Sequence, residues 1–68
     1  MLTSLKLERM KKGIKQWRLA SIVGIHPQEL SNYEIGRRRC PADVRYKIAD
    51  ALSVAVDELF PNEQKENL

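Results

Sequence analysis

Apolar residues recur at helical spacing along this chain, and glycine and proline residues divide the pattern into five short segments. The two clearest segments span about 16–23 and 27–35, and Gly24 lies between them. A glycine at this position supplies the positive-φ residue that ends one helix and lets the next begin within about three or four residues. The pattern therefore predicts two short helices joined by a tight turn. In the helix predicted over 16–23, the apolar side consists of Leu19, Ile22 and Val23.

The same pattern predicts three further helices and no strand. The first helix has Thr3 or Ser4 as its candidate N-cap and ends at Gly13. The last two helices begin after Pro41 and end before Pro61. We expect a compact all-α fold of five helices. Its last helices span about 42–52 and 56–60, the domain covers 1–61, and a polar tail covers 62–68.

The start of the third helix is marked by three consecutive signals. His26 stands at the N-cap position, and Pro27 follows at the first helical position, where its missing N–H costs nothing. Glu29 places a carboxylate in the first turn, where the helix dipole favours negative charge. Ile25 precedes these residues and is expected to be buried in the turn.

Length and cysteine content limit the classes of protein that this chain can belong to. A chain of 68 residues buries only about 60% of the surface that its unfolded form exposes, which leaves little room for a large catalytic cleft. Cys40 is the single cysteine, so no internal disulfide can form. Charged residues near the N-terminus exclude a long apolar signal or membrane segment there. We expect a cytoplasmic protein.

Charge is distributed unevenly along the chain. Residues 1–47 contain 11 Lys/Arg and 4 Asp/Glu, a net charge of +7, whereas residues 48–68 contain 1 and 5, a net charge of −4. The two values add to the overall +3. Such a division is typical of a domain that turns one face toward a polyanion, although small domains also show it by chance.

Several spaced features together carry a family resemblance. They are the segments 13–20, 23–25, 33–38, Pro41, 47–52 and 56–60. With these features, the chain resembles the Cro/lambda-repressor-type helix-turn-helix regulators, which are also called xenobiotic-response-element-like. The resemblance covers about residues 5–60. It implies a five-helix domain that places its third helix in the major groove of duplex DNA and the start of its second helix against the phosphate backbone.

The two sides of the third helix predict which residues read bases. Leu30, Tyr33 and Glu34 share a face with Ile25 and are expected to turn inward. The opposite side carries Pro27, Gln28, Ser31 and Asn32. Amide side chains can bond N6 and N7 of adenine together, a hydroxyl can donate or accept, and a proline ring can pack on a thymine methyl. Outside this motif such residues would be ordinary solvated positions, but within it we interpret them as the base-reading set.

A second set of residues is expected to contact phosphates. Gln16 opens the second helix, whose N-terminal N–H groups suit a phosphate. Trp17 either reaches the same phosphate through its indole N–H or packs across the first helix, and packing is the preferred interpretation. His26 is another candidate, although a single histidine here is more often only a cap. The basic run after the third helix is interpreted as a phosphate clamp whose members are not distinguished: Arg37, Arg38 and Arg39.

The resemblance also implies a structural ion pair and a dimer. Arg9 and Glu34 occupy the positions at which members of this family pair an arginine and a glutamate across the core, and they would fix the angle of the third helix. The chain ends soon after the DNA-binding unit, so it would either dimerise through this domain or act as a weak monomer. Of the two, we expect a homodimer on an inverted-repeat DNA operator. In relatives of this size the last helix supplies the two-fold contact. The candidate interface residues are Val54, Val56, Leu59 and Phe60, some of which must instead fill the core.

Three functional hypotheses follow. The first is a sequence-specific transcriptional regulator, specifically a repressor of the phage or mobile-element kind. The second is a protein-interaction module on the same scaffold, such as an antitoxin, with the acidic last two helices as its partner surface. The third is an enzyme, which is poorly supported because no paired carboxylates and no Cys–His or Ser–His–Asp set are apparent. We predict no metal and no cofactor, since no second His or Cys lies at metal-ligand spacing from His26.

Overall fold

The computed structural model describes residues 3–61, and every regular element in that range is an α-helix. This confirms the predicted all-α fold of five helices. The third and fifth helices each end one residue earlier than predicted, and the predicted polar tail lies outside the described residues. None of the helices in the described range is long and apolar enough to cross a membrane. The helices are α1 (Ser4–Lys11), α2 (Gln16–Val23), α3 (Pro27–Glu34), α4 (Ala42–Leu52) and α5 (Val56–Leu59).

Local sequence signals account for the ends of α1 and α2. Thr3, rather than Ser4, caps α1, because its hydroxyl accepts a hydrogen bond of 3.1 Å from the Lys6 N–H. Gly24 ends α2 in the left-handed region at φ 87°, and its N–H donates to the Ala20 carbonyl at 2.8 Å. A side chain at Gly24 would be strained by this dihedral angle. The glycine therefore produces the turn of the helix-turn-helix.

A single hydrophobic core lies between the helices. α2 packs against α3 and α4, and α5 packs against α1 and α4. Ile25 lies at the edge of this core and is half-buried. Ile22 differs from the expectation: it is exposed, because Leu19, Ala20 and Val23 form the buried side of α2. The fully buried residues of largest volume are Leu5, Leu19, Leu30, Ile48, Leu52, Glu34 and Cys40.

The structure divides the four candidate dimer-interface residues into two that fill the core and two that keep some exposed area. Leu59 and Phe60 are only 3% and 8% exposed, because α5 packs onto α1 and α4 and both side chains fill the core of the monomer. A core this small needs its largest apolar side chains. They therefore offer no free surface to a second subunit. Val54 and Val56 are half-buried and retain some exposed area.

Candidate nucleic-acid interface

The N-terminus of α3 is held by a reciprocal pair of hydrogen bonds. The Gln28 N–H donates to Nδ1 of His26 at 3.2 Å, and the His26 N–H donates to Oε1 of Glu29 at 3.4 Å. Pro27 occupies the first helical position, as predicted from the sequence. An accepting Nδ1 requires a neutral imidazole whose proton is on Nε2. His26 therefore caps the helix with one ring nitrogen and offers an exposed N–H donor with the other.

The exposed side of α3 carries an amide pair one helical turn apart. Nε2 of Gln28 donates to Oδ1 of Asn32 at 3.5 Å. This bond leaves Oε1 of Gln28 as an acceptor and Nδ2 of Asn32 as a donor. An adjacent acceptor and donor are the groups needed to bond N6 and N7 of adenine. Pro27 and Gln28 are exposed, and Ser31 and Asn32 are half-buried, so the four candidate base-reading residues retain accessible surface.

The side of α3 that was expected to turn inward does so, but one of its three residues is less buried than the other two. Leu30 and Glu34 are buried, whereas Tyr33 is only half-buried. Burial raises the pKa of the Tyr33 phenol above its ordinary value of 10.0, and the electrostatic effect of Cys40 and Glu29 acts in the same direction. Tyr33 therefore remains a neutral hydroxyl at physiological pH.

A buried network joins α1, the start of α2 and the end of α3. Nε and Nη2 of Arg9 donate to the two carboxylate oxygens of Glu34 at 2.5 and 3.2 Å. Nη1 of Arg9 donates to the Ile14 carbonyl at 2.7 Å. Nε2 of Gln16 donates to Oε1 of Glu34 at 3.0 Å. One carboxylate thus accepts hydrogen bonds from two other parts of the chain, which constrains the orientation of α3.

Gln16 and Trp17 begin α2 but have different surroundings. The bond from Gln16 to Glu34 uses one amide N–H, so only the second N–H remains for a phosphate. Sequence reasoning did not anticipate this contact. Trp17 is 58% exposed. Its exposure argues against the preferred packing role and leaves the indole N–H accessible.

The three arginines after α3 lie in an exposed loop that is hydrogen-bonded to the end of α3. The backbone N–H groups of Arg37 and Arg38 both donate to the Asn32 carbonyl, at 2.9 and 3.3 Å. Gly36 has a positive φ of 78°, and this left-handed conformation turns the chain so that these bonds can form. The loop containing Arg37, Arg38 and Arg39 therefore begins at the end of the helix that carries the amide pair. The structure brings the candidate base-reading and phosphate-contacting residues to neighbouring positions.

Arg45 is buried, and sequence reasoning missed it. Its Nη1 donates to the Cys40 carbonyl at 2.6 Å, while its Nε is buried without a hydrogen-bond partner among the described residues. Helical spacing could have predicted its burial, because Arg45 stands four residues before Ala49 and seven before Leu52, and both of these are buried on α4. Arg45 therefore belongs to the interior and not to the basic surface.

Among residues 3–61, no group of three or more His, Cys, Asp or Glu side chains is arranged to hold a metal ion. The cysteine in this range, Cys40, is a buried free thiol.

Comparison with known proteins identifies the family. The helix-turn-helix family model matches residues 5–59. The chain belongs to this family of Cro/lambda-repressor-type helix-turn-helix regulators. Among solved structures, it is similar to the restriction-modification controller protein C.AhdI from Aeromonas hydrophila. The identity is 32%, with 84% of this chain and 86% of that chain covered and a TM-score of 0.79.

A second solved structure supports the fold. The clp gene regulator ClgR from Corynebacterium glutamicum superposes with a TM-score of 0.80 at 24% identity, over 93% of this chain and 67% of that chain. At this identity the similarity concerns the fold alone. No match was found among curated proteins. Family membership and the two superpositions therefore agree on the helix-turn-helix arrangement of α2 and α3.

Proposed function

We propose that this chain is a sequence-specific repressor of transcription, of the phage or mobile-element type, that binds double-stranded DNA through the major groove. The observation that carries the proposal is the amide pair of Gln28 and Asn32 on an exposed, capped recognition helix. In a helix-turn-helix protein this surface faces the base edges. Family membership and the similarity to a controller protein support the regulatory role.

The proposed contacts divide into those that specify sequence and those that position the domain. The base-reading residues are Pro27, Gln28, Ser31 and Asn32. The phosphate-contacting residues are Gln16, Trp17, His26, Arg37, Arg38 and Arg39. The ion pair of Arg9 and Glu34 contacts no DNA in this proposal and holds α3 at its working angle. The proposed repressor needs neither a metal nor a cofactor.

We further propose that the protein binds as a homodimer to an inverted-repeat operator. One recognition helix reads roughly four to six base pairs, too few to stand out against the competing sites of a genome. Two helices related by a two-fold axis double that number, with half-site centres about 34–36 Å apart. Since Leu59 and Phe60 are buried, the contact would use Val54, Val56 and neighbouring exposed residues.

A second candidate function is control of restriction–modification genes. It is favoured by the similarity to C.AhdI, which extends over more than four-fifths of both chains. The two candidates differ in the genes that they would control, and both would use the proposed DNA-binding surface.

An antitoxin role would instead use the exposed acidic side chains of α5, Asp57 and Glu58.

Selection of bound sequences from a random duplex pool tests the proposal. We expect an enriched inverted repeat whose affinity falls sharply when one half-site is scrambled or when the spacing changes by about half a helical turn. Failure to enrich any sequence would overturn the repressor proposal. Enrichment of a single half-site, bound as tightly as the full repeat by one subunit, would overturn only the dimer.

A further inference from the structure

We propose that Arg45 is a positioning residue for the loop after α3: its buried hydrogen bond to the Cys40 carbonyl holds that loop in the shape that binds DNA. We call residues 36–41 the arginine loop, because its exposed arginines are the proposed phosphate contacts. This role rests on the proposed function, and Arg45 itself touches no DNA in it. A residue of the interior would thus control how well a surface loop binds.

The arginine loop is attached to the rest of the domain near both of its ends. Near its start, the backbone N–H groups of Arg37 and Arg38 donate to the Asn32 carbonyl. Near its end, Nη1 of Arg45 donates to the Cys40 carbonyl at 2.6 Å, and the side chain of Cys40 is buried in the core. The exposed arginines lie between these two attachments. Their positions therefore depend on the Arg45 bond as well as on α3.

Arg45 is an unfavourable residue for the stability of this core. It is 4% exposed, its Nε has no hydrogen-bond partner, and it makes no ion pair with any residue of the range 3–61. Arg9, which is also buried, is paired with Glu34. Arg45 is the fourth residue of α4, so its charge also lies near the positive end of the helix dipole. A buried charge without a counter-charge destabilises a fold, and an apolar side chain of similar volume is often tolerated better.

The bond to the arginine loop explains why an arginine stands at this position. Local choices that conflict with stability are expected where a residue serves function. The guanidinium reaches back from α4 to a carbonyl five positions earlier in the chain, and its planar group donates from a fixed geometry. An apolar side chain would fill the same space but could not make this bond. Cys40 directly follows the last of the three loop arginines, so the bond acts where the loop joins α4.

A loop that is already ordered binds better than one that must be ordered on binding, because fixing each backbone residue costs entropy. If only about 10–30% of the molecules hold the arginine loop in the binding shape, the apparent affinity falls roughly three- to tenfold for each subunit. The loop arginines would still reach the same phosphates once bound. The number of counterions released, and with it the salt slope, should therefore not change. This separates a positioning residue from one that contacts phosphate.

The test compares Arg45→Met, which removes the donor and the charge but keeps an unbranched stem, with Arg45→Lys, which keeps the charge and one donor. The matched control is Ile48→Val, which removes a fully buried carbon from the same helix and no hydrogen bond. Amide hydrogen exchange of the arginine loop is measured in the free protein. Affinity for the selected operator and for unrelated duplexes is measured at several salt concentrations, well below the melting temperature of each variant.

Arg45→Met should exchange its loop amides at least about threefold faster than the wild type, because the Cys40 carbonyl has lost this donor. It should bind all duplexes roughly three- to tenfold more weakly for each subunit, with an unchanged salt slope. Its melting temperature should stay equal or rise, since a buried charge has been removed. Arg45→Lys should lie between the wild type and Arg45→Met. Ile48→Val should melt about 4–8 °C lower and leave loop exchange and affinity unchanged.

The other outcomes overturn the role of Arg45 in different ways. If Arg45→Met keeps either the loop exchange or the affinity of the wild type, Arg45 does not position the loop for binding. A smaller salt slope would mean that Arg45 contacts a phosphate itself. Loss of the fold in Arg45→Met, or exchange that rises equally throughout the domain, would mean that Arg45 supports the whole core. If the wild type selects no sequence, the proposed function fails, while exchange in the free protein still decides whether Arg45 holds the loop.

Discussion

Replacement of Glu34 by glutamine tests the buried ion pair that holds the recognition helix. Glu34 is 1% exposed and accepts two hydrogen bonds from Arg9 and one from Gln16. Glu34→Gln preserves the shape of the side chain but leaves the charge of Arg9, a residue that is 9% exposed, without a counter-charge. Removing one partner of a buried pair costs about 3–5 kcal/mol. The free energy of unfolding of a chain of this size is roughly 3–10 kcal/mol, so much of it should be lost.

Urea unfolding followed by circular dichroism measures this loss. The double variant Arg9→Met/Glu34→Leu should recover most of it, because replacing both charges by apolar groups is often neutral or stabilising. The matched control is Lys11→Ala, which breaks the surface pair with Glu8 at 3.2 Å. That pair lies on the exposed side of α1, where such a contact contributes about 0.5 kcal/mol or less.

Two outcomes would refute the reasoning. A loss below about 1 kcal/mol for Glu34→Gln would mean that the buried Arg9 charge is not stabilised by its partner. A double variant no more stable than Glu34→Gln would mean that the lost stability comes from packing and not from an uncompensated charge. Either result would show that charge compensation between Arg9 and Glu34 is not what stabilises this part of the fold.

Substitutions at three further residues test the proposed roles of the exposed positions one at a time. Asn32→Ala should weaken binding to the best operator by about 1–3 kcal/mol and flatten the preference at one base pair in a panel of single-base variants. Unchanged affinity and preference would show that Asn32 does not read bases. Arg38→Ala should weaken all duplexes alike and lower the magnitude of the salt slope by about 1 per subunit, so an unchanged slope would exclude a phosphate contact. His26→Ala should lower the free energy of unfolding by about 0.5–2 kcal/mol through loss of the Nδ1 cap, whereas His26→Asn should keep it. Equal stability of these two variants would contradict the capping role.

The helix boundaries and the position of the recognition helix could be predicted because their causes are local. His26, Pro27 and Glu29 act within one turn of α3, and Gly24 ends α2 through its own dihedral angle. Such signals operate whatever the rest of the chain does. The exposed side of α3 followed from helical periodicity, since Leu30 and Glu34 define the buried side.

The partners of the site residues could not be derived from periodicity. Gln16 and Glu34 lie 18 positions apart, and their hydrogen bond exists only because α2 packs against α3. Which cations form ion pairs could not be predicted for the same reason, since it depends on which carboxylates the fold brings near them. Of the five cations between Glu8 and Glu29, Arg9 and Lys11 form ion pairs within the described residues 3–61.

By itself, the sequence determined an all-helical domain with a helix-turn-helix, because turn and cap residues act on the backbone next to them. Only the tertiary structure decided which apolar and charged residues are buried. Leu59 and Phe60 fill the core where a dimer contact was expected, and Arg45 is buried although its type favours the surface. The physical reason is that burial depends on which helices meet, and those contacts join residues that are distant in the chain.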